Sequence, residues 1–190
     1  MNNILCILAC NNNNNLKYKI TLHNIKYLLE ICNKLVIINS DECKKYDIKS
    51  KIDTNKIDII YIKNDKLLCQ GKWMYYFKNH KYDKYNKFIL TNDSFLITKS
   101  LNNFKKLIYN NNIELISYLA SNEIKYHYTD FLRCYNEVGL NKILNFYNNN
   151  KEITYNYDLI VNILEIQSTF IFQNKKVLFD SISNYFNNLN

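Results

Sequence analysis

Ile4-Leu5-Cys6-Ile7-Leu8-Ala9-Cys10-Asn11-Asn12-Asn13 sets seven apolar residues in a row against three asparagines. An unbroken apolar run of this length reads as a central strand covered on both faces, as in a parallel sheet. Asparagine favours turns and helix caps, so Asn11 to Asn15 reads as the loop from that strand into a helix. The same punctuation recurs along the chain. Leu35–Ile38 is followed by Asn39-Ser40-Asp41, Ile57–Ile62 by Asn64-Asp65, Phe88–Leu90 by Asn92-Asp93-Ser94, and Ile113–Leu119 by Ser121-Asn122-Glu123. Helical spacing of Leu16, Ile20, Ile25, Leu28, Leu29 and Cys32 separates the first two runs, and Leu101, Phe104, Leu107 and Ile108 repeat it before the fifth. Asp41–Tyr46 is a short polar connection, and Gly71–His80 reads as a short helix with Trp73, Tyr76 and Phe77 on one face. The expected class is α/β, with a mainly parallel, Rossmann-like central sheet and helices on both faces. Such sheets bind ligands beyond the carboxyl ends of their strands, which is where the polar clusters fall.

After residue 125 the rhythm changes. Phe131, Tyr135, Val138, Leu140, Ile143, Leu144 and Tyr147 predict a helix with a break at Gly139. Leu159, Ile160, Ile163 and Leu164 predict another, Thr169–Phe172 a last short strand, and Leu178, Ile182, Tyr185, Phe186 and Leu189 a terminal helix. With no linker and no internal repeat in view, residues 1–190 read as one domain: a sheet core over 1–125 and a mainly helical completion over 126–190.

Composition excludes several classes. No apolar run approaches the ~20 residues that span a bilayer. Met1-Asn2-Asn3 lacks the basic region of a signal peptide, so the expected location is cytoplasmic. The net charge of +8 invites a polyanion, but two glycines, no proline and abundant Lys, Asn, Ile and Tyr are the bias of a very AT-rich genome. The lysines are scattered rather than clustered, so no nucleic-acid partner is expected. Six cysteines, none in a Cys-x-x-Cys pair and none at zinc-module spacing, read as reduced thiols.

Two stretches carry a family likeness: Asn64-Asp65-Lys66-Leu67-Leu68-Cys69-Gln70-Gly71-Lys72-Trp73, and Leu90-Thr91-Asn92-Asp93-Ser94-Phe95. With the opening strand and Val36-Ile37-Ile38-Asn39-Ser40, they resemble, over about residues 1–135, the rhamnan-synthesis F family of glycosyltransferase-like proteins. That family has an Asn, then a Gly-Lys/Ser-Trp element, then an apolar strand ending in Asn-Asp-Ser. The chain departs from it where the usual Gly and Asp between the Asn and Gly71-Lys72-Trp73 are missing. A departure also follows His127, where the usual Gln-Ser-aromatic triplet is absent and Gln167-Ser168-Thr169-Phe170 stands far downstream.

The resemblance implies a GT-A-like nucleotide-sugar transferase. Its donor would be a nucleoside diphosphate sugar and its acceptor a hydroxyl on a glycan or protein. The departing diphosphate gains charge, so a divalent ion (Mn²⁺ or Mg²⁺) or basic groups must stabilise it. Asp93 is the best-placed carboxylate for a metal, with His127 or Asp130 as candidate second ligand; a capping Asp93 is the plain alternative. Asn92 and Ser94 flank Asp93 in the family's motif, and Asn64 heads the other one. Ser40 and Asp41 are expected at the base or ribose, or else as helix caps. Asn11 and Asn12 are expected at the nucleotide, or else as turn residues. Arg133 either pairs with Asp130 at i,i+3 or meets the pyrophosphate. Glu165, on an otherwise apolar helix, must be paired if buried, and is a candidate with Asp130 for acceptor binding or the base. Lys72 is read as solvated, with phosphate contact as its alternative, and Trp73 as core rather than sugar platform. Two rivals remain: a binding module that has lost catalysis, and another Rossmann-like enzyme such as a methyltransferase, which the lack of a glycine-rich loop after the first strand disfavours.

Overall fold

The computed structural model describes residues 3–52, 55–64, 67–110, 112–153 and 157–181. Eight strands form its sheet: β1 (Ile4–Cys10), β2 (Lys34–Ser40), β3 (Ile57–Ile62), β4 (Lys87–Asn92), β5 (Leu115–Ser121), β6 (His127–Tyr128), β7 (Leu132–Asn136) and β8 (Lys175–Phe179). Their order is β3-β2-β1-β4-β7-β5-β6, with β8 also on β5. β1 pairs in parallel with β2 and β4, and β2 in parallel with β3. β7 is antiparallel to both β4 and β5, so β5 runs in the same direction as β4. The carboxyl ends of β1 to β5 therefore share one edge, and β7 begins there.

Four helices cover the sheet: α1 (Asn15–Ile31), α2 (Leu68–Asn79), α3 (Asn102–Ile108) and α4 (Glu137–Asn149). All seven residues of β1 are buried, and they alternate between two cores. Ile4, Cys6 and Leu8 pack with Ile25, Leu28 and Ile31 of α1 and Phe104 and Ile108 of α3. Leu5, Ile7 and Ala9 pack with Trp73, Tyr76 and Phe77 of α2 and Leu140, Ile143 and Tyr147 of α4. Burial on both faces is what the uninterrupted apolar run requires. α1 starts where Asn14 accepts the Lys17 backbone N–H, the turn-to-cap use of asparagine that the loop composition implied. Trp73 is core, 1% exposed, with Nε1 donating to the Thr91 carbonyl at 3.3 Å. All six cysteines are free, and among the described residues no helix is long and apolar enough to cross a membrane.

The second half departs from expectation. Residues 132–136 are not helical but form β7, between β4 and β5. Gly139 does not break a helix; it lies inside α4, where a Cβ would stand 2.0 Å from the Glu114 carbonyl oxygen. Its missing side chain lets α4 close onto the start of β5, and Lys142 bonds Glu114 beside it at 2.8 Å. Thr169–Phe172 is not a strand, since Gln167–Ile171 forms a 3₁₀ turn closing a helical stretch that is π-helical over Ile160–Ile166. Leu178 is in β8 rather than in a terminal helix, and Ile182, Tyr185, Phe186 and Leu189 lie outside the described residues. The fifth strand begins two residues later than its apolar run, because Ile113 and Glu114 belong to the turn that precedes it.

Candidate functional site

A cavity of about 310 Å³ opens at the carboxyl edge of the sheet. The ends of β1 and β4, the first turn of α2, Asp130 before β7, and Ile160 to Glu165 of the π-helical stretch enclose it. Its polar wall includes Asn11, Lys17, Asn64, Gln70, Lys72, Asn92, Asp93, Ser94, Asp130 and Glu165. Leu68, on its lip, holds φ at 53°, the left-handed region that favours glycine.

Asp93 ties two loops together: its Oδ2 accepts the Asn11 backbone N–H at 2.7 Å. Its Oδ1 has no hydrogen-bond partner among the described residues. Asn92 Oδ1 accepts both the Ser94 N–H at 3.1 Å and the Ser94 hydroxyl, while its amide donates to Asp130 Oδ1 at 3.2 Å. Ser40, at the end of β2, donates to Asn64 Oδ1 at 2.9 Å and accepts from Lys72 Nζ at 2.8 Å. Lys72 also donates to the carbonyl of Cys10, the last residue of β1. Burial lowers its pKa from the ordinary lysine value, against the pull of neighbouring Cys10 and Asp93.

A buried carboxyl network forms the opposite wall. Asp130 Oδ2 accepts from Gln70 Nε2 at 2.9 Å and from the Cys69 thiol at 3.6 Å. Its own N–H donates to Glu165 Oε1 at 3.1 Å. Burial, and the Glu165 charge next, push the Asp130 carboxyl up to about 6, although Arg133 and its donors oppose the rise. Glu165 goes the other way: burial is outweighed by His127 and Arg133, which hold it below the usual range. His127 Nε2 stands 3.6 Å from Glu165 Oε1, and its Nδ1 is 2.7 Å from the Lys125 carbonyl. Burial depresses the imidazole, but the Glu165 and Lys125 contacts more than offset it and the pKa is raised.

The structure gathers Asn11, Asn64, Asn92, Asp93, Ser94, Asp130 and Glu165 on one cavity. Ser40 joins through its bonds to Lys72 and Asn64. Four expected residues sit elsewhere. Asn12 is fully buried behind the wall, bonded to Thr21 and Asn39, a turn residue locking β1 to β2 and α1. Asp41 is exposed and paired with Lys44 at 3.0 Å. His127 opens into a neighbouring hollow of about 470 Å³, which shares Phe131, Val161 and Glu165 with the first. Arg133 is 1% exposed, does not line the cavity, and forms no ion pair with Asp130 among the described residues. Its guanidinium donates to the carbonyls of Tyr128, Thr129 and Glu165 and to the Ser168 hydroxyl, so it fastens the loop before β7 to the π-helical stretch.

Among the described residues the donor set does not make up a metal site held by the protein alone. Among the described residues no three His, Cys, Asp or Glu side chains group as ligands. Asp93 gives one carboxylate with one oxygen already bonded, and His127 is turned toward Glu165 rather than Asp93. Sequence reasoning missed Gln70 and Cys69 and placed Lys72 in solvent, whereas it is 4% exposed. The family likeness at Gly71-Lys72-Trp73 was the available signal. Asp65 lies outside the described residues.

No family model matches the chain, and no curated protein sequence is similar to it. Solved structures do match. The 4-diphosphocytidyl-2C-methyl-D-erythritol synthase of Anaerococcus prevotii aligns over 96% of this chain and 91% of its own, with a TM-score of 0.62 at 10% identity. The inositol-1-phosphate CTP transferase of T. maritima aligns over 95% and 86%, with a TM-score of 0.63 at 10% identity. Glucosyl-3-phosphoglycerate synthase of Mycobacterium tuberculosis, solved with Mn²⁺, UDP and phosphoglyceric acid, aligns over 95% and 69%, with a TM-score of 0.52 at 9% identity. The likeness thus extends to the GT-A-like fold of nucleotide-diphospho-sugar transferases, while the rhamnan-synthesis F resemblance has no matching family model behind it. The chain has a GT-A-like α/β fold, with its polar cavity at the carboxyl edge of the sheet.

Proposed function

We propose that the cavity takes a nucleoside diphosphate sugar and that the protein transfers the sugar to a hydroxyl of a glycan or protein acceptor. The observation that carries this reading is the convergence of Asn11, Lys72, Asp93, Asp130 and Glu165 on one cavity at the strand ends of a GT-A-like sheet. In the reaction the acceptor oxygen bonds the anomeric carbon and the bond to the diphosphate breaks. The acceptor's proton must leave with a base. Asp130 is the better matched of the two carboxylates, since a base with a pKa near 6 balances proton affinity against availability at neutral pH. Glu165, held ionised by His127, positions the Asp130 backbone and raises the proton affinity of its carboxyl. The second hollow, on the far side of Glu165, is the natural place for the acceptor. Asn11, Ser40 and Asn64 stand ready for the nucleoside and Ser94 for the phosphates.

Thermal-shift measurements against UDP-, GDP-, CDP- and dTDP-sugars and S-adenosyl methionine test the ligand class. Stabilisation by a nucleotide sugar supports the reading, and stabilisation by S-adenosyl methionine alone sinks it. The rival, a binding module without catalysis, is favoured by the single carboxylate in Asn92-Asp93-Ser94. It predicts binding with no release of nucleoside diphosphate in the presence of water or acceptor.

A further inference from the structure

We infer that Lys72 is the phosphate-binding group of this site, a buried ammonium that does for the donor's diphosphate what a metal ion would otherwise do. The inference rests on the nucleotide-sugar reading and specifies how the anionic part of the donor is held.

Lysine is almost never fully buried unless it is paired. Lys72 is 4% exposed, and its partners, the Cys10 carbonyl and the Ser40 hydroxyl, are both neutral. An ammonium has three N–H donors, so one is left over. None of the ion pairs among the described residues involves Lys72. A charge taken out of water needs a counter-charge. Among the described residues none is built in at bonding distance, and Lys72 lines the cavity rather than the closed core. The cation is therefore completed by an anion entering from the cavity.

Position agrees with charge. The Cys10 carbonyl is the end of β1 and Ser40 the end of β2, so the ammonium is pinned at the strand ends, where this class of sheet holds phosphates. Lys17, in the first turn of α1, lines the same cavity and adds positive charge. Both bonds to Lys72 fix its stem, so little side-chain freedom remains to be lost when an anion arrives. The expected metal pair is separated among the described residues, because Asp93 lines this cavity and His127 the neighbouring hollow. A lysine that merely stapled β1 to β2 would satisfy the same two bonds, and the two roles separate on ligand binding.

Isothermal titration calorimetry of the full chain with inorganic pyrophosphate and with UDP, GDP, CDP and dTDP, in EDTA and again with MnCl₂, separates them. Expected is binding of pyrophosphate and at least one nucleoside diphosphate in EDTA, weakened at least about tenfold in Lys72→Met and less in Lys72→Arg. Asp93→Asn, which keeps an oxygen for the Asn11 N–H and removes a negative charge that competes for the ammonium, should bind pyrophosphate in EDTA more tightly than the parent. Binding that requires Mn²⁺ and is lost in Asp93→Asn overturns the Lys72 assignment and leaves the nucleotide-sugar reading standing. Parent-like affinity in a folded Lys72→Met also overturns it. Failure of the parent to bind any of these ligands in either buffer overturns both. Should Lys72→Met not fold, the EDTA titrations of the parent and of Asp93→Asn distinguish a lysine-held diphosphate from a metal-held one by themselves.

Discussion

Glu165 accepts the backbone N–H of Asp130 at 3.1 Å, so buried Asp130 and half-buried Glu165 form one electrostatic unit. Neither can be titrated alone: the Glu165 charge helps raise Asp130 to about 6, while His127 and Arg133 keep Glu165 itself ionised. A carboxyl whose proton affinity is set by burial and a neighbouring charge is an arrangement met at catalytic sites, and here it follows from burial and the adjacent Glu165.

The His127–Glu165 pair gives a pH signature. The raised His127 pKa contributes stability that is full below the ordinary histidine value of about 6.5 and is lost as pH rises through the higher folded value. The lowered Glu165 pKa contributes stability present above about 4.3 and lost as pH falls through the folded value. The pair therefore stabilises most between the two ordinary values, from about 4.3 to about 6.5. In Glu165→Gln the His127 midpoint, followed by NMR titration of the imidazole, should fall, because burial then acts unopposed by the carboxylate. An unchanged midpoint would mean that His127 is not paired with Glu165 in solution.

Arg133→Met should cost stability on the order of 3 kcal/mol, by chemical denaturation, since it removes the four hydrogen bonds that a buried guanidinium donates to the Tyr128, Thr129 and Glu165 carbonyls and the Ser168 hydroxyl. Arg133→Lys should recover little of this, because an ammonium does not reproduce the planar fork. A variant that unfolds like the parent yet loses ligand binding would place Arg133 on the pyrophosphate after all.

Gly139→Ala puts a methyl group onto the Glu114 backbone, with the Asn136 side chain crowding it from a second direction at 3.3 Å. Backbone cannot swing away, so α4 must shift from β5. The expected loss is roughly 1–3 kcal/mol or more, against the gain a helix interior normally draws from Gly→Ala. An increase in melting temperature would show that α4 does not sit this close.

Trp73→Ala should cost roughly 3–5 kcal/mol, the usual range for truncating a buried aromatic. The residue packs into the core shared by β1, α2 and α4 and its indole N–H is bonded to Thr91. Parent-like melting with lost sugar binding would make it a platform for the ligand instead.

Much of the parallel half was legible because Ile4–Cys10 carries its message in seven uninterrupted apolar residues, which only burial on both faces explains. Asn92-Asp93-Ser94 and Asn64 reached the cavity for the same reason, as residues just past strand ends. β7 was hidden because Phe131, Tyr135 and Val138 fall near helical spacing and Arg133 sets a charge at its second position, a burial made tolerable by the carbonyls of Tyr128, Thr129 and Glu165 and by the Ser168 hydroxyl. Those carbonyls come from the loop before β7 and from a stretch some thirty residues downstream, and no local pattern encodes the meeting. Lys72 was hidden likewise, since its two acceptors come from β1 and β2. His127 was drawn to Asp93 by analogy of residue type, whereas the short β5–β6 hairpin turns it to Glu165.

The most direct test of the account is a crystal structure of the protein grown with the nucleoside diphosphate that stabilises it best. The ligand is expected in the cavity bounded by Asn11, Lys72, Asp93 and Asp130, with a phosphate oxygen within hydrogen-bond distance of Lys72 Nζ and the nucleoside toward Ser40 and Asn64. A nucleotide bound elsewhere on the molecule, with this cavity filled only by water, would contradict it.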